Sequence, residues 1–360
     1  MAFKLSIYPW THTAHYDGER WSEEFIEQEH LTPEEEAALD ESARGVLADK
    51  RNVIPGLPLV NYTTQYGLGC FEGLKAFPQP DGSLKLFRPE RNCARMAASM
   101  KGLRMPAIDE KLLLGGILET VRRNADLGFT PEYDPAWEKD SWQSGDAVYI
   151  RPFTYSEPGI GINLSSLPWV ISVCTTVSAY FTPGKNEAVT SKRIRATPNG
   201  TGWIKTAANY VISTLAKSEA AEDGYMEAIF LDATHRKYIE EGSSCNFFAL
   251  FPDGRLVTPA LGDTILPGIT RESILVLAKE KGLDVREEAL SVEEVLEDAV
   301  ECFVSGTAAG ITPLGSLTHE GRKKAYRSLD ADSVSYELLK RLKGIQYGAV
   351  EDKYGWMTAV

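Results

Sequence analysis

The feature of this sequence that most restricts its fold is a segment rich in turn-forming residues near its middle. A continuous apolar run at 169–177 predicts a buried strand. Pro183-Gly184 and Pro198-Asn199-Gly200 follow this strand, and such combinations interrupt helices and strands. At 360 residues the chain exceeds the size at which one core usually keeps growing. We therefore predict two domains and a linker: residues 1–181, 182–200 (the linker) and 201–360.

Both predicted domains contain helix and strand patterns. Thr32-Pro33, followed by three glutamates, predicts a capped helix. Residues 90–104 predict a helix that carries Arg95, and at 146–156 aromatic or basic residues alternate with apolar ones, as in a strand with two different faces. Further helices are predicted in the second domain at 206–222 and 270–281, among several short strands. These patterns predict a mixed α/β (α+β) fold.

Charge and cysteine content exclude several classes of protein. The formal net charge is −13, whereas nucleic-acid binding needs Lys and Arg to neutralise phosphates, so we expect no nucleic-acid partner. No segment is long and apolar enough to span a membrane, and the N-terminus lacks a signal-peptide pattern, which predicts a cytoplasmic protein without membrane contact. The cysteines are widely spaced without a CxxC pair, so neither a disulfide framework nor a metal site is expected.

Lys205 and the acid pair Glu240-Glu241 are the first candidates for chemistry. A pyridoxal phosphate enzyme needs a lysine amine to hold the cofactor as a Schiff base, and an acid that keeps the pyridine nitrogen protonated. Either feature alone is more often structural, because a lysine near a turn is usually solvated and an acid pair before a glycine usually ends a strand. Their interpretation therefore depends on the other motifs of the chain.

Two loops have the character of anion-binding sites. In Leu266–Arg271 a tight turn enters a helix, where unpaired backbone N–H groups and the helix dipole favour a phosphate. Ser305–Gly310 offers successive N–H groups and a threonine hydroxyl in a backbone that a ligand can approach closely. In isolation, a plain turn is the default interpretation of either loop.

In their order along the chain, these motifs resemble the branched-chain amino acid aminotransferases, a family of fold type IV pyridoxal phosphate enzymes. The resemblance covers nearly all of the sequence from Asn61 to Gly348. The matching segments are Gln65–Phe77, Leu86–Pro89, Tyr149–Pro152, Pro198–Tyr210, Glu241–Gly242, Leu266–Arg271 and Ser305–Ala309. So many matching segments in one order make coincidence implausible.

The resemblance implies a fold and a reaction. The fold has a smaller N-terminal α+β domain and a larger C-terminal domain, with the cofactor pyridoxal 5′-phosphate at their interface. The reaction transfers the amino group of L-leucine, L-isoleucine or L-valine to 2-oxoglutarate, through a pyridoxamine intermediate in a ping-pong cycle. Lys205 is the implied catalytic residue, which anchors the cofactor and then moves a proton between the substrate α-carbon and the cofactor.

The resemblance also implies which residues bind the cofactor. Glu241 corresponds to the acid at the pyridine nitrogen, because Asn246 follows it at the spacing found in the family; Glu240, one position earlier, is the alternative. Tyr210 corresponds to the tyrosine that hydrogen-bonds the phenolic oxygen of the cofactor. The residues expected at the phosphate are Arg95, Ile269, Thr270 and Thr307.

For the substrate, the resemblance implies an apolar and aromatic pocket. The residues expected there are Tyr149 with the N–H groups of Thr307 and Ala308 at the α-carboxylate, and Tyr66, Phe71 and Tyr180 around the side chain. Ile160 and Ile162 match a loop that reaches in from a second subunit, so at least a homodimer is expected. Such a pocket separates neighbouring aliphatic side chains by only about 1 to 3 kcal/mol per methylene, so all three amino acids should react.

Two alternatives belong to different classes. A D-amino acid aminotransferase or an aminodeoxychorismate lyase would share the lysine, the glutamate and the arginine, but the segments Tyr149–Pro152 and Gly200–Tyr210 favour the branched-chain enzymes. A binding or regulatory protein on a degenerate enzyme scaffold would have lost Lys205, Glu241 or Arg95. All three of these residues are present.

Overall fold

The structure is a computed structural model that describes residues 6–177, 186–308 and 310–360. The elements of the first half are β1 (Trp10–Tyr16), β2 (Trp21–Glu27), α1 (Pro33–Ala38), α2 (Glu41–Arg51), α3 (Tyr62–Tyr66), β3 (Leu74–Pro78), β4 (Leu84–Phe87), α4 (Pro89–Gly102), α5 (Glu110–Asp126), a 3₁₀ helix (Pro135–Asp140), β5 (Ala147–Tyr155) and β6 (Trp169–Val177). Those of the second half are β7 (Glu187–Thr190), α6 (Asn209–Glu222), β8 (Glu227–Leu231), β9 (Tyr238–Gly242), β10 (Asn246–Leu250), β11 (Arg255–Thr258), α7 (Ile269–Glu280), β12 (Asp284–Glu287), β13 (Leu290–Ser291), α8 (Val292–Asp298), β14 (Glu301–Gly306), β15 (Gly310–Leu314), β16 (Ser316–His319), β17 (Arg322–Ala325), α9 (Val334–Gln346) and β18 (Met357–Ala359). Among the described residues, no helix is both long enough and apolar enough to cross a membrane.

The chain divides into two compact units, called unit 1 and unit 2. Unit 1 comprises Met1–Ala179, Thr206–Ala208 and Gln346–Val360, and unit 2 comprises Tyr180–Lys205 and Asn209–Ile345. By these bounds unit 1 contains more residues than unit 2, whereas the resemblance implies a smaller N-terminal domain. The C-terminal residues return to unit 1 because β18 pairs with β4. The domain bounds 1–181 and 201–360 stay predictions.

Unit 1 is built on a seven-stranded sheet in the order β18-β4-β3-β5-β6-β1-β2. Every neighbouring pair of strands in it is antiparallel. The apolar faces of α4 and α5 share one core with the sheet, where Met96 and Ile117 lie among buried strand residues such as Ile150. Burying a side chain of this size stabilises the fold by roughly 1.5 to 3 kcal/mol, so the core holds α4 firmly in place.

Strand β5 has the two faces that its sequence predicts. Val148 and Ile150 are fully buried, whereas Tyr149, Arg151 and Phe153 are only half-buried. Because successive side chains of a strand point to opposite faces, these three side chains lie on one face of the sheet. The prediction of an aromatic and basic face is therefore confirmed.

Unit 2 contains an eleven-stranded mixed sheet in the order β12-β11-β10-β9-β8-β7-β16-β17, with β13 paired to β9 and β14 paired to both β10 and β15. The strand pairs β7–β8, β7–β16 and β11–β12 are parallel, and the other pairs are antiparallel. Its core contains Ile229, Phe247 and Val304, all completely buried. Strands β9, β10 and β14 are therefore rigid supports for the side chains at their ends.

Helix starts show why one position is chemically different. Thr32 caps α1 in a full capping box with Glu35, as the sequence predicts, and Asp109 and Ser291 cap α5 and α8. Helix α7 instead begins after Gly268, and no side chain caps its first turn. Its first N–H groups therefore lack the usual internal partner.

Candidate active site

Lys205 lies at the end of the loop that precedes α6, and its amine is held by a phenol. Lys205 Nζ donates a hydrogen bond to the Tyr210 hydroxyl oxygen, at 2.8 Å, from the first turn of α6. The loop itself is fixed by Asn209, whose side-chain amide donates to the carbonyls of Thr201 and Ile204 at 2.7 and 3.0 Å. The predicted pair of Lys205 and Tyr210 is therefore brought together.

Glu241 lies near the end of strand β9 as a buried carboxylate with three partners. Arg195 Nη2 lies 2.6 Å from Oε1, while the Asn246 side-chain amide and the Leu266 backbone N–H donate to Oε2 at 3.2 and 3.3 Å. Burial raises the pKa of the Glu241 carboxyl to about 7, although the charge of Arg195 and the Leu266 N–H oppose this shift. A buried acid with a pKa near neutrality can hold or release a proton under physiological conditions.

Glu240 differs from Glu241 although it is also buried. Its Oε2 has no hydrogen-bond partner among the described residues, and the side chain is 7% exposed. Burial raises the pKa of this carboxyl as well, while a hydrogen bond with Thr264 and the charge of Arg195 lower it. The guanidinium contact and the two N–H donors therefore distinguish Glu241 as the organised acid of the pair, and its predicted role at a pyridine nitrogen stays a prediction.

The uncapped start of α7 is tied to Glu241 through Asn246. The Asn246 amide donates to the Leu266 carbonyl as well as to Glu241, at 3.0 Å. Gly268 lies directly against it, since a Cβ atom at Gly268 would come within 2.0 Å of Asn246 Oδ1. Ile269 and Thr270, predicted to meet a phosphate, are buried in the first turn. The arrangement offers free N–H groups to an anion beside a fixed acid.

The second predicted anion loop lies next to these residues. Asn246 pairs with Glu241 on one side and with Ser305 on the other, so three neighbouring strands place these residues side by side. Thr307 and Ala308 follow in the turn between β14 and β15. The structure thus assembles the ends of β9, β10 and β14 and the start of α7 into one cluster of unit 2.

Arg95, predicted to bind the phosphate, forms a buried ion pair in unit 1. Its Nε and Nη2 atoms lie 2.7 and 2.9 Å from the two carboxylate oxygens of Glu72, which is 1% exposed. The Asn92 amide also donates to Glu72, at 2.7 Å. The guanidinium is therefore oriented by its neighbours, and phosphate binding by Arg95 stays a prediction.

Tyr149 and Phe71, predicted near the substrate, lie together around Arg151. The guanidinium of Arg151 donates to the Tyr149 hydroxyl at 2.6 Å and lies 4.7 Å from the centre of the Phe71 ring. A glycine is required beside them, because a Cβ atom at Gly73 would come within 2.2 Å of the Tyr149 hydroxyl. Unit 1 thus presents a cation between two aromatic rings.

Tyr66 and the predicted intersubunit loop also belong together. The Tyr66 hydroxyl accepts a hydrogen bond from the Gly161 N–H at 2.8 Å. On either side of this glycine, Ile160 and Ile162 are 72% and 99% exposed. Tyr180, the remaining predicted pocket residue, lies outside the described residues.

Comparison with known proteins identifies the family. Residues 69–317 match the family described as amino-transferase class IV. Branched-chain-amino-acid aminotransferase 2 of Bacillus subtilis is 36% identical over 304 residues, which are 82% of this chain and 80% of the relative. The chain belongs to the branched-chain-amino-acid aminotransferase family of class IV aminotransferases.

Solved structures agree with this assignment. The crystal structure of the Escherichia coli branched-chain amino acid aminotransferase is similar with a TM-score of 0.69 at 31% identity, over 84% of this chain and 93% of that one. The fold is also that of the branched-chain amino acid aminotransferase from Thermobaculum terrenum in its PLP-form, with a TM-score of 0.70 at 23% identity, over 98% of this chain and 99% of that one. The predicted family, the mixed α/β fold of type IV, the prediction of an enzyme and its cofactor, pyridoxal 5′-phosphate, are confirmed.

Sequence reasoning missed three partners of the aminotransferase site residues. The sequence places Arg195 in the predicted linker, and it includes Glu72 and Arg151 only as members of a matching segment and a strand face. Each forms its ion pair or hydrogen bond with a side chain that another part of the chain supplies, or with an aromatic cluster. The available signal was weak: an arginine inside a matching segment or close before the lysine loop.

Proposed function

We propose that this aminotransferase moves the amino group of leucine, isoleucine or valine to 2-oxoglutarate on its pyridoxal 5′-phosphate cofactor, in a ping-pong cycle. The observation that carries the proposal is the pairing of Lys205 with Tyr210 and of Glu241 with Arg195. An amine held by a phenol and a buried acid held by a guanidinium are the two groups that such a cofactor requires.

The residues present fit this cofactor in three respects. Lys205 supplies the amine and Glu241 a buried acid for a pyridine nitrogen. The start of α7 has no side-chain cap, and Gly268 could not carry a side chain without displacing Asn246, so an anion can approach the N–H groups of Ile269 and Thr270. Thr307 and Arg95 are proposed as further phosphate ligands from the resemblance.

The protein groups divide the chemistry among them. When bound, the cofactor withdraws electrons from the bond at the substrate α-carbon. Lys205 takes the proton from that carbon and returns it at the cofactor, and the Tyr210 hydroxyl keeps the amine in position. Glu241 holds the proton at the pyridine nitrogen, and a positive charge beside it stabilises the ionised carboxylate.

The cluster around Arg151 supports the use of a charged and an uncharged substrate. Phe71 and Tyr149 provide aromatic surface for an aliphatic side chain, whereas Arg151 provides a cation for the second carboxylate of 2-oxoglutarate or glutamate. Arg151 Nε is buried without a partner among the described residues, so a donor remains. We therefore propose Arg151 as the residue that admits the dicarboxylic substrate.

An exposed apolar surface supports the proposal of a homodimer. Leu59, Ile160, Ile162 and Leu164 are all at least half exposed. The Gly159 N–H donates to the Val60 carbonyl at 3.2 Å, which brings the two segments together. Contiguous apolar surface of this kind usually marks an interaction site, and a second copy of the chain is the proposed partner. Light scattering on purified protein measures the mass, and a monomer at micromolar concentration contradicts the proposal.

A spectral assay tests the proposed reaction. Purified enzyme loaded with cofactor is expected to lose its visible absorption band on addition of L-leucine, and to form glutamate when 2-oxoglutarate follows. A band that ignores leucine but responds to D-alanine or aminodeoxychorismate would retain the family of folds and overturn the substrate class. Failure to take up cofactor would favour a binding protein.

A further inference from the structure

We infer that Arg195 is a positioning residue of this site, whose one guanidinium holds both the Glu241 carboxylate and the loop that ends in Lys205. The inference deepens the proposed function and rests on it for the roles of Glu241 and Lys205. In the proposed reaction Arg195 does not touch the reacting atoms. It acts through the groups that it holds.

The contacts of Arg195 come from a single nitrogen. Nη2 lies 2.6 Å from Glu241 Oε1, and it donates to the backbone carbonyls of Gly202 and Thr264 at 2.9 and 2.5 Å. The side chain is 6% exposed, so these contacts are shielded from water. Hydrogen bonds to ionised groups in such surroundings are stronger than neutral ones and fix both partners.

Two of these contacts reach the segments that build the site. Gly202 lies in the loop before Lys205, and this loop is also bound to the segment at 263–264. The Trp203 N–H donates to the Asp263 carbonyl at 3.1 Å, and a Cβ atom at Gly202 would come within 2.6 Å of Thr264. The guanidinium therefore sits where the lysine loop, the 263–264 segment and the end of β9 meet. Shortening or neutralising it releases all three.

The charge of Arg195 also serves two acids. Glu240 and Glu241 both experience it, and it lowers the pKa of each against the effect of burial. The other groups that act on Glu241 are the Leu266 N–H, Glu240 and Lys205, and those that act on Glu240 are Thr264, Asp232 and Asp263. Without the guanidinium, Glu241 would lose its closest positive charge and would ionise only at higher pH.

The first test compares pH profiles of the cofactor-loaded enzyme. Arg195→Gln is expected to move the acidic limb of kcat/KM to higher pH by about 1 to 3 pH units, and so to lower kcat/KM at neutral pH at least about tenfold. Arg195→Lys keeps the charge and is expected to restore part of the limb. The control is Arg193→Gln, because Arg193 pairs with Glu219 at the surface of the same segment. A purely structural role would lower activity equally at every pH.

The second test reads the pair without any turnover. In the cofactor-free full-length chain, the melting temperatures of Arg195→Gln, Glu241→Gln and the double variant form a cycle. Arg195→Gln alone should melt lowest, because it leaves a buried carboxylate unpaired, and the double variant should recover towards Glu241→Gln. Additive effects together with an unmoved acidic limb would overturn the inference.

The two tests separate this inference from the proposed reaction. Coupling in the cofactor-free chain, combined with no glutamate formation from leucine by the unmodified enzyme, would remove the substrate proposal and keep the role of Arg195. Normal turnover by the unmodified enzyme without coupling would do the reverse. If Arg195→Gln does not fold alone, its recovery in the double variant still demonstrates the coupling, and failure of both variants to fold while Glu241→Gln folds counts against it.

Discussion

Replacing Glu241 by glutamine is expected to change how the stability of the cofactor-free enzyme depends on pH. In the folded chain, burial holds the pKa of this carboxyl at about 7, against an ordinary value of 4.5. In the unfolded chain the carboxyl is solvated and returns to its ordinary value. The two states therefore bind a different number of protons between these pH values.

The sign follows from which state loses its proton first. As pH rises from 4.5 towards 7, the unfolded chain ionises at Glu241 while the folded chain keeps its proton, so the free energy of unfolding falls. The contribution is fully present below pH 4.5 and is lost as pH passes through 7. One pKa unit corresponds to about 1.4 kcal/mol, so the total loss is about 3 kcal/mol. Glutamine does not titrate, and the variant lacks this loss.

Urea unfolding measured across this pH range tests the prediction. The difference in free energy of unfolding, Glu241→Gln minus unmodified protein, should rise by about 3 kcal/mol from pH 4.5 to above pH 7. A constant offset is also expected, because glutamine leaves the charge of Arg195 without its partner, but that offset does not follow pH. Glu222→Gln, at an exposed site on α6, is the control for loss of a carboxylate. Parallel curves for Glu241→Gln and unmodified protein would refute the reasoning.

Three further substitutions test other parts of the site. Lys205→Ala is expected to abolish turnover, since it removes the amine that Tyr210 holds, and steady-state glutamate formation by the cofactor-loaded variant would contradict the assignment. Arg95→Gln leaves the Glu72 carboxylate buried without its guanidinium, so it should lower the free energy of unfolding by about 3 to 5 kcal/mol in urea titrations, and a smaller loss in a variant that also carries Glu72→Gln is the control. Gly268→Ala pushes a methyl group into Asn246 and should weaken cofactor binding about tenfold in equilibrium titrations without abolishing folding; unchanged affinity would show that the start of α7 does not bind it.

Local signals predicted most of the elements that carry the site. Alternation predicted β5 with its aromatic face, and a capping pattern predicted the start of α1 at Thr32. The strands that carry Glu241 and begin at Asn246 lie close to their predicted positions. Such features depend on neighbours along the chain, and these are visible in a single sequence.

The missing features depend on distant segments. Strands β1 and β2 escaped prediction because their burial arises from pairing with β6 and from packing against α5, not from their own alternation. Arg195 contacts residues 202, 241 and 264, and only the folded sheet brings these together. Glu72 was likewise invisible as a partner of Arg95, because the two meet across the start of β3 and the middle of α4. A pattern within one segment contains no information about such pairs.

The position of β18 has a consequence for how the protein is made. This strand pairs with β4 through Met357–Ala359 and closes one edge of the sheet of unit 1, although all of unit 2 precedes it in the sequence. During synthesis the edge of β4 therefore stays open until the ribosome has translated the second unit. Open strand edges are sites of aggregation. A fragment that stops before β18 would expose this edge permanently, so the two units are best produced as one chain and a shortened N-terminal fragment is a poor target for expression.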